Sequence, residues 1–550
     1  MFEERLEPLK DCDDNGDDSV NYFGEARQKE TDVDEESKMR KLRSSSFSDS
    51  LDDINSSEDH DEIAIRNYGL RRRPAQFGND NGNNRDRVVT ITRELRIPDN
   101  IRIQRSLRIP EFGPKILFFS GGTAIRDLSA CLINYTHNSI HLITPFDSGG
   151  SSAEIRRGFD MLSVGDIRNR LLALSDKSES TMRNNPQVIQ LFSHRLTKTG
   201  DSEASEEEFI SILDGKHPLI RAVELPMRSI LQNHLRWFVE RMPADFDLRG
   251  ASIGNLIITG CFLEHNRDIV TAIFMIAKFL GVKGFCRPLT AANLHIRALY
   301  GDGREVVGQH AMNLAPKSLH SVQNTDNKRQ LMQSCKIVRI DLVKELQTSS
   351  NAERQQSQTC HIDILSSDLV SSTADLICFP MGSFFASILV NLLPRGVGRA
   401  IAERRCPKVY IPNTGYDPEM TGRTLVECVS LIIEMVRDDP FHAYHQQHRG
   451  GNEDSSHQEE TNEHTVPVEN ILNFVLLDTA NCEYCVPIDK GGIEKLGVTV
   501  IDMPLVEDDC GYMDSDARNK SEHFDSSHRN RKSKILNPKK VADVLISLSS

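Results

Sequence analysis

Short apolar runs alternate with helical patterns over most of the chain after residue 112. Five runs have the length and the continuous apolar character of buried strands; they are Lys115–Phe119, Ser139–Pro145, Leu376–Phe379, Lys408–Ile411 and Asn473–Leu477. Apolar residues at helical spacing follow three of these runs, over Ala124–Ile133, Phe385–Leu393 and about Thr424–Val436. Strands that alternate with helices predict an α/β fold, in which a mainly parallel sheet carries helices on both faces.

Long polar stretches interrupt this pattern. Residues 1–112 are rich in Asp, Glu, Ser, Asn and Arg and show little apolar periodicity, as in Gly78–Asn84. A segment of this composition buries too little apolar surface to offset the entropy of ordering it. We therefore predict a disordered N-terminal arm over 1–112 and one α/β domain over 113–550. Disordered polar insertions are expected near 347–358, 445–463 and 507–534.

Charge and composition indicate where the protein is located and which classes of partner are excluded. The net charge of −14 resides largely in the polar segments, and no basic stripe with interleaved aromatic residues predicts a nucleic-acid surface. The longest apolar stretch, Ser383–Leu393, is too short to span a bilayer. The acidic N-terminus shows no signal or transit pattern. We predict a cytoplasmic protein with no nucleic-acid or membrane partner, while import into the nucleus or a plastid stays open.

The cysteines point to a reducing compartment. Twelve of them are scattered along the chain without a pairing framework. Cys482 and Cys485 form a lone CxxC motif, and the sequence offers no second ligand pair at the spacing of a zinc site. The pair is therefore not favoured as a metal or redox centre.

Two glycine-rich turns and one charged loop lie close together in the sequence. They are Ser120–Thr123, Phe146–Ser152 and Val164–Asn169, and the first two follow predicted strands. Sites for phosphate groups need glycine, which allows the backbone to approach the ligand closely and to present its N–H groups. The combination predicts a phosphate- or nucleotide-binding site.

Polar residues also follow the other predicted strands, in the segments Pro380–Ser383, Pro412–Asn413 and at Asp478. Turns favour Gly, Ser, Asn and Asp in any case, so one such strand end is ordinary. Ligands of open α/β sheets, however, bind in the crevice beyond the carboxyl ends of the strands. Five polar ends in succession therefore favour one shared cleft.

The same blocks resemble the phospholactate transferase and gluconeogenesis factor family (CofD and YvcK). The matching segments cover nearly all of the core in the order of the family; they are Ser120–Thr123, Asp147–Ser152, Gly165–Leu174, Leu191–Arg195, Ile253–Leu256, Met381–Ile388 with Asn391, Val409–Asn413, Thr421–Gly422 and Pro538–Leu545. This resemblance implies a Rossmann-like, three-layer α/β/α fold with the cleft at the carboxyl edge of the sheet, in agreement with the strand ends.

The family has two kinds of member, and the resemblance implies a different function for each. The transferases move a phospholactyl-type group from a nucleoside-diphosphate donor onto a deazaflavin alcohol, with Mg²⁺ as cofactor. The gluconeogenesis factors bind a UDP-sugar and act in the control of carbon flux. The blocks at Gly149–Ser152 and Gly165–Asn169 are closer to the second branch. We therefore expect a regulator that binds a nucleotide-linked small molecule, and an Mg²⁺-dependent transferase is the alternative.

Candidate roles for the first two turns follow from chemistry as well as from resemblance. Gly121, Gly122 and Thr123 offer backbone N–H groups and a hydroxyl to a phosphate group; a plain tight turn is the alternative. Asp147 is a catalytic residue and a ligand for Mg²⁺ in this interpretation, and an Asx-turn is its alternative. The segment Gly149, Gly150, Ser151 and Ser152 is expected to close over the ligand.

The remaining candidates complete the cleft. Asp166 is the second catalytic candidate, and Arg168 with Asn169 would bind a diphosphate; an ion pair between Arg168 and Asp166 that only braces the loop is the alternative. The resemblance adds five ligand-binding candidates from distant segments, namely Asn255, Gly382, Ser383, Asn391 and Asn413.

Three positions depart from the bacterial pattern. Ser148 stands where the bacterial members have a second aspartate, Ala124 stands for a glycine, and Met381 stands in the Gly-Pro-Gly-Ser loop. The loss of one carboxylate weakens a metal site, so binding is a safer expectation than turnover. A nicotinamide-dependent oxidoreductase is disfavoured because the GxGxxG motif is missing. A homodimer and phospho-dependent partners that bind the N-terminal arm stay open.

Overall fold

The computed structural model of the chain describes residues 63–65, 94–176, 185–198, 202–314, 334–344, 356–440, 466–506 and 535–549. Its strands are β1 Ile63–Ile65, β2 Leu95–Ile97, β3 Ile116–Ser120, β4 Ile140–Ile143, β5 Phe285–Pro288, β6 His295–Tyr300, β7 Glu305–Val307, β8 Ile337–Val343, β9 Leu376–Phe379, β10 Lys408–Tyr410, β11 Phe474–Leu477 and β12 Thr499–Asp502.

The α-helices within this part of the chain are α1 Asn100–Arg108, α2 Arg126–Leu132, α3 Gly150–Phe159, α4 Gly165–Ala173, α5 Pro186–Ser193, α6 Ser202–Leu213, α7 Pro218–Arg221, α8 Met227–Val239, α9 Ile253–Glu264, α10 Ile269–Phe279, α11 Gln309–Leu314, α12 Ile364–Asp368, α13 Val397–Glu403, α14 Leu425–Arg437, α15 Lys490–Lys495 and α16 Pro538–Leu548. Short 3₁₀ and π turns connect several of these elements, among them Phe384–Ile388 and Leu389–Leu392.

A seven-stranded parallel sheet forms the centre of the fold. Its strand order is β12-β11-β10-β9-β3-β4-β5, and every neighbouring pair is parallel. Strand β3 reads Ile-Leu-Phe-Phe-Ser and is completely buried, because the parallel sheet is covered on both faces. The predicted α/β class with a mainly parallel sheet is confirmed. All five predicted strands are present, each shifted by no more than two residues at either end.

The direction of strand addition reverses at β3. The chain adds β4 and β5 on one side of this strand, and later adds β9, β10, β11 and β12 on the other side. The register pairs Leu117 with Ile140 on one side and with Ile377 on the other. Ligand crevices of open α/β sheets form at such a reversal, beyond the carboxyl ends of the two strands that flank it. The turns after β3 and β9 therefore border the expected cleft.

Two further units pack around this sheet. Helices α3 to α10 enclose a hydrophobic core of their own, which contains Phe159, Phe209 and Phe238. A small antiparallel sheet has the strand order β7-β6-β8. Neither unit was predicted from local patterns, and the edge strands β5 and β12 of the central sheet were not predicted either.

Residues 94–112 contradict the prediction of an arm without structure up to residue 112. They form β2, α1 and a 3₁₀ turn, and Ile97 and Ile103 are buried in a cluster with Val541 and Leu545 of α16. Asp99 caps α1, and its backbone N–H donates to Ser547 Oγ at 2.8 Å. These partners are more than 430 residues away in the sequence, so the local pattern does not show them.

The other disorder predictions fall mainly outside the part of the chain that the structure describes. This holds for nearly all of 1–93, most of the insertion near 347–358, and the whole of 445–463 and 507–534. Over the described residues, no helix combines the length and the apolar character needed to cross a membrane.

Two helix predictions need correction. The predicted helix over Phe385–Leu393 is a π turn followed by a 3₁₀ turn. The helix predicted from Ala124 begins two residues later, at Arg126, and residues 121–125 form an irregular loop. The prediction for Thr424–Val436 is confirmed: α14 covers Leu425–Arg437 and starts with a capping box at Thr424.

Candidate functional site

The first glycine turn packs closely against Asp166. Gly121 and Gly122 are buried directly after β3, and Asp166 lies in the first turn of α4. A Cβ atom on Gly122 would lie 2.6 Å from Asp166 Cγ, so glycine is required for this approach. The backbone N–H of Gly122 faces the Asp166 carboxylate and lowers its pKa, against the larger effect of burial. The glycine turn after β3 thus lies directly against a carboxylate of the protein, and the N–H of Gly122 faces that carboxylate.

A buried arginine, which the sequence interpretation missed, supports this turn from the core. Arg170 is completely buried and donates to the carbonyl oxygens of Gly121 at 2.9 Å, Gly122 at 3.3 Å and Ile125 at 3.1 Å. It also bonds to Ser129 Oγ. Burial lowers the pKa of Arg170 to about 10, which still leaves it charged at neutral pH. The guanidinium therefore holds the shape of the loop.

The second glycine turn is supported in the same way. Arg156 donates to the carbonyl oxygen of Asp147 at 3.0 Å, and the side chain of Arg156 is buried. Asp147 Oδ1 accepts the backbone N–H of Gly149 at 3.0 Å, which is the Asx-turn named above as the alternative. The second carboxylate oxygen, Oδ2, points to α4, where a Cβ on Gly165 would lie 3.5 Å from it. The turn thus leaves one oxygen of Asp147 directed at the neighbouring loop.

Ser151 and Ser152 join this turn to two other elements. Asn255 in the first turn of α9 donates from Nδ2 to Ser151 Oγ at 3.1 Å. A Cβ on Gly165 would lie 2.5 Å from Ser152 Oγ. Gly150 starts α3 with a positive φ of 51°, and a Cβ there would contact no atom within 4 Å. The turn over residues 147–152 therefore packs against Gly165 of α4 and Asn255 of α9.

Arg168 is the least satisfied charged side chain of the site. It is only 5% exposed, and it donates from Nη2 to Asn169 Oδ1 at 2.7 Å. Its Nε and Nη1 atoms are buried and have no hydrogen-bond partner among the described residues. Asn255 Oδ1 is also buried without a hydrogen-bond partner there. Burial, followed by the charge of Arg195, lowers the pKa of Arg168 to about 10. Among the described residues the alternative Arg168–Asp166 ion pair does not form.

The turn after β9 forms the other wall, and Asn413 holds it. The Gly382 N–H donates to Asn413 Oδ1 at 2.8 Å, and Asn413 Nδ2 donates back to the Gly382 carbonyl oxygen at 2.7 Å. Ser387, which was not among the candidates, lies between the two walls. A Cβ on Gly121 would lie 2.6 Å from Ser387 Oγ, and a Cβ on Gly382 would lie 3.3 Å from Ser387 Cβ. The two turns that flank the strand reversal are therefore in contact.

The N–H groups that follow Ser383 are already occupied. Asp417 Oδ2 accepts the Phe384 N–H at 3.1 Å, and Glu419 Oε2 accepts the N–H groups of Phe385 and Ala386, each at 2.8 Å. Burial and the charge of Asp417 raise the pKa of Glu419 to about 8. Carboxyl groups of the protein therefore occupy these donors, which are not presented to a ligand.

Thr123 and Asn391 lie at the margins of the cluster. Thr123 is exposed in the loop before α2. Asn391 is completely buried and donates to the Ser387 carbonyl oxygen at 2.8 Å. The contacts of Asn391 support the turn after β9 from within the core, and those of Asn413 serve the same turn from its other side.

Asp147 and Asp166 interact electrostatically across the cleft. Burial, followed by the charge of Asp147, raises the pKa of Asp166 from its ordinary value of 3.8 to about 7. Two carboxylates in one place repel each other unless a proton or a cation lies between them. Carboxylate oxygens are the protein ligands that Mg²⁺ prefers. The donor set of this cleft therefore fits the Mg²⁺ that the resemblance implies.

Replacement of Gly122 by alanine is expected to lower the free energy of unfolding by about 1–3 kcal/mol. The new methyl group meets the short Asp166 side chain, which cannot move away without leaving the cleft. Urea unfolding measures the loss. Gly121→Ala is the matched control and is expected to lose less, because Ser387 Oγ can rotate away and Ser387 Cβ, at 3.1 Å, needs only a small shift. An equal loss in both variants would contradict this packing.

The raised pKa of Asp166 predicts how stability depends on pH. The folded state favours the protonated carboxyl, so its contribution is complete below pH about 3.8 and is lost as pH rises through about 7. Asp166→Asn is expected to reduce the fall in unfolding free energy between about pH 5 and about pH 8 by about 2–3 kcal/mol. Urea titrations at both values measure it. The exposed Asp127→Asn serves as control, and a wild-type slope in Asp166→Asn would refute the assignment.

Comparison with known proteins gives consistent matches. The profile of the family described as 2-phospho-L-lactate transferase CofD matches residues 116–506. A putative gluconeogenesis factor of Nostoc is 25% identical over 321 residues, which are 58% of this chain and 52% of that protein. The gluconeogenesis factor of Listeria monocytogenes is 28% identical over 306 residues, 55% of this chain and 67% of that protein. The chain thus spans about half of the length of the Nostoc relative.

A solved structure is also similar. The crystal structure of a UPF0052-family protein from Bacillus halodurans covers 79% of this chain and 99% of its own, with 19% identity and a TM-score of 0.49.

Proposed function

Because the chain belongs to the 2-phospho-L-lactate transferase CofD family, we propose that it binds a metabolite linked to a nucleoside diphosphate, of the sugar-nucleotide type. The proposed binding site lies at the carboxyl edge of the sheet, where the turns that follow β3, β4 and β9 come together. The relatives from Nostoc and Listeria carry the name gluconeogenesis factor. We therefore propose a role in metabolic regulation in the cytoplasm, in which the occupancy of the cleft reports the level of the metabolite.

The unsatisfied guanidinium of Arg168 carries this proposal. A buried N–H group without a partner is costly, and the cost is larger when the group is charged. Arg168 keeps two such donors, Nε and Nη1. The oxygen atoms of a diphosphate are acceptors that a guanidinium prefers. Nε and Nη1 point in different directions, so separate oxygen atoms of the two phosphate groups would accept from them and bring a counter-charge to the cation.

The surroundings of Arg168 suit the rest of such a ligand. Its Cδ atom lies against Gly254, where a Cβ would lie at 2.8 Å, so the side chain packs on the first turn of α9. The N-terminus of this twelve-residue helix favours negative charge. Asn255 Oδ1, a buried acceptor without a partner among the described residues, is available to a ribose or sugar hydroxyl.

Mg²⁺ would be held by Asp147 and Asp166. When bound, it supplies positive charge to the diphosphate of the ligand. Asp147 orients one carboxylate oxygen through its bond to Gly149, and Arg170 fixes the loop that faces Asp166. The residues that would bind Mg²⁺ are thus held in position before the ligand binds.

A thermal-shift screen tests the proposal. Purified full-length protein is heated with UDP-, GDP- and CDP-linked metabolites, each with and without Mg²⁺. We expect at least one of them to raise the melting temperature, and we expect Mg²⁺ to increase the shift. Adenosine and free sugars, which lack a diphosphate, serve as matched ligands that give no shift. The absence of stabilisation by every diphosphate would overturn the proposal.

A transferase is the second candidate, and the pKa of Asp166 favours it. For this function Asp147 alone would hold Mg²⁺, and Asp166, whose pKa is raised to about 7 by burial and by the charge of Asp147, would be the general base. It would take the proton of an alcohol acceptor as the alcohol attacks the donor and displaces the nucleotide. Asp147→Ala is expected to abolish transfer of the phosphorus-containing group while weakening donor binding far less. Product formation is followed by ³¹P NMR. Tight binding without product, across alcohol acceptors, would leave the regulator as the function.

A further inference from the structure

A cluster of metal-ligating side chains lies outside the cleft. His194, Glu208 and His217 each direct one ligand atom to a common point, and these atoms lie within 4.8 Å of one another. His194 follows α5, Glu208 lies on α6, and His217 is the N-cap of α7. Three elements that are separate in the chain thus bring two imidazoles and one carboxylate together.

We propose that this His194–Glu208–His217 cluster binds one Zn²⁺ ion. Two histidines and one glutamate form a ligand set that is common for zinc, with a fourth position left to water. The side chains of His194 and Glu208 are 26% and 18% exposed, so the ion can enter from solvent and keep a water ligand. A set that combines nitrogen and oxygen ligands favours zinc over Mg²⁺, which prefers oxygen alone.

The bonds that the ligands make without the ion are compatible with this site. His194 Nε2 and Glu208 Oε1 form a hydrogen bond of 2.6 Å. A tetrahedral ion at bond lengths of about 2.0–2.1 Å needs its ligands about 3.3 Å apart. Zinc would therefore replace the proton of this bond and move the three ligand atoms, which now lie within 4.8 Å of one another, to that spacing. His217 Nδ1 accepts the Leu219 N–H at 3.2 Å. Coordination through Nδ1 would replace this single capping bond, and coordination through Nε2 would keep it.

Part of the cluster is already oriented by its neighbours. Glu208 Oε2 accepts the backbone N–H and the hydroxyl of Thr197, both at 2.9 Å. This leaves Oε1 as the oxygen that faces the histidines. Such outer bonds fix the orientation of a ligand and are a usual part of metal sites. The Glu208 carboxylate is therefore held in a ligating position before the ion binds.

The position of the cluster gives the ion a structural effect. Arg195, which follows His194, pairs with Ser252 in a β-bridge at the start of α9. The charge of Arg195 acts on Arg168 in the cleft. A bound zinc would therefore join α5, α6 and α7 beside the wall that carries Arg168. The zinc site itself does not depend on what the cleft binds.

Equilibrium dialysis against Zn²⁺, with metal analysis of the retained protein, tests the proposal. We expect about one zinc per wild-type chain and at least a 100-fold weaker affinity in His217→Ala. Glu208→Gln keeps the shape of the side chain and is expected to show the same loss. It serves as the second variant if His217→Ala folds poorly. His137→Ala is the matched control, since His137 lies 3.7 Å from one glutamate, Glu111, and no second histidine joins them in the part of the chain that the structure describes.

Cobalt provides a second readout. Co²⁺ in this cluster is expected to give the visible bands of a tetrahedral nitrogen and oxygen site. A sulfur-to-cobalt charge-transfer band would place the ion at a cysteine site, such as the Cys482 and Cys485 pair, and would overturn the proposal. Wild-type protein that retains no zinc, or zinc binding that is unchanged in both His217→Ala and Glu208→Gln, would also overturn it.

Discussion

Replacement of Arg170 by methionine is expected to lower the free energy of unfolding by about 3–5 kcal/mol. Methionine fills much of the same volume but leaves the carbonyl oxygens of Gly121, Gly122 and Ile125 buried without their donor. Buried acceptors without a partner cost stability even where packing is preserved. Urea unfolding of the full chain measures the loss. Because the loop loses its support, weaker ligand binding is expected at temperatures where the variant is still folded.

Two variants control this result. Arg126→Met replaces an exposed arginine at the start of α2 and is expected to change the stability by about 0.5 kcal/mol or less. Arg170→Lys keeps the charge but loses the planar fork, so we expect a smaller loss than in Arg170→Met. A near-neutral Arg170→Met would show that the guanidinium does not hold the loop.

Replacement of Arg168 by alanine is expected to weaken the binding of a nucleoside diphosphate by about 100-fold, which corresponds to about 2.7 kcal/mol. The reason is the loss of the two buried guanidinium donors that a diphosphate would use. Isothermal titration calorimetry with the best ligand from the thermal-shift screen measures the affinity. The stability of the free variant is expected to change little or to rise, because an unsatisfied buried charge is removed.

Arg195→Ala is the matched control for Arg168→Ala. Arg195 is a nearby arginine, but it is exposed, and solvent screens its charge. We expect less than about a 10-fold loss of affinity for this variant. Equal losses for the two variants would indicate a diffuse electrostatic attraction, and no loss for Arg168→Ala would remove the observation on which the proposed function rests.

The central sheet could be predicted because its signal is local. Buried parallel strands appear as continuous apolar runs, and polar residues mark their carboxyl ends, as in Ile116–Ser120 followed by Gly121. The α1 segment could not be predicted, since Ile97 and Ile103 find their partners on α16 at the other end of the chain. The edge strands and the segment after Ser383 were not predicted correctly for a related reason, because tertiary contacts outweigh local propensity there.

The candidate site was predictable in its loops and less so in its support. Glycine, aspartate and asparagine at strand ends indicate a cleft through their own chemistry, and most of the predicted residues do lie in one network. Arg170 and Arg156 were missed because a single arginine on a helix has the pattern of a solvated residue. Ser387 and the Asp417–Glu419 pair were missed because their roles depend on which turn they face. The bond from Asn391 to Ser387 likewise shows only in three dimensions.

A crystal structure of the full-length protein with a UDP-sugar and Mg²⁺ tests the central claim most directly. We predict a diphosphate that accepts hydrogen bonds from Nε and Nη1 of Arg168, between the turns that follow β3, β4 and β9, with Asp147 and Asp166 on the metal side. A nucleotide bound elsewhere, with these two Arg168 donors still without an acceptor, would contradict the account.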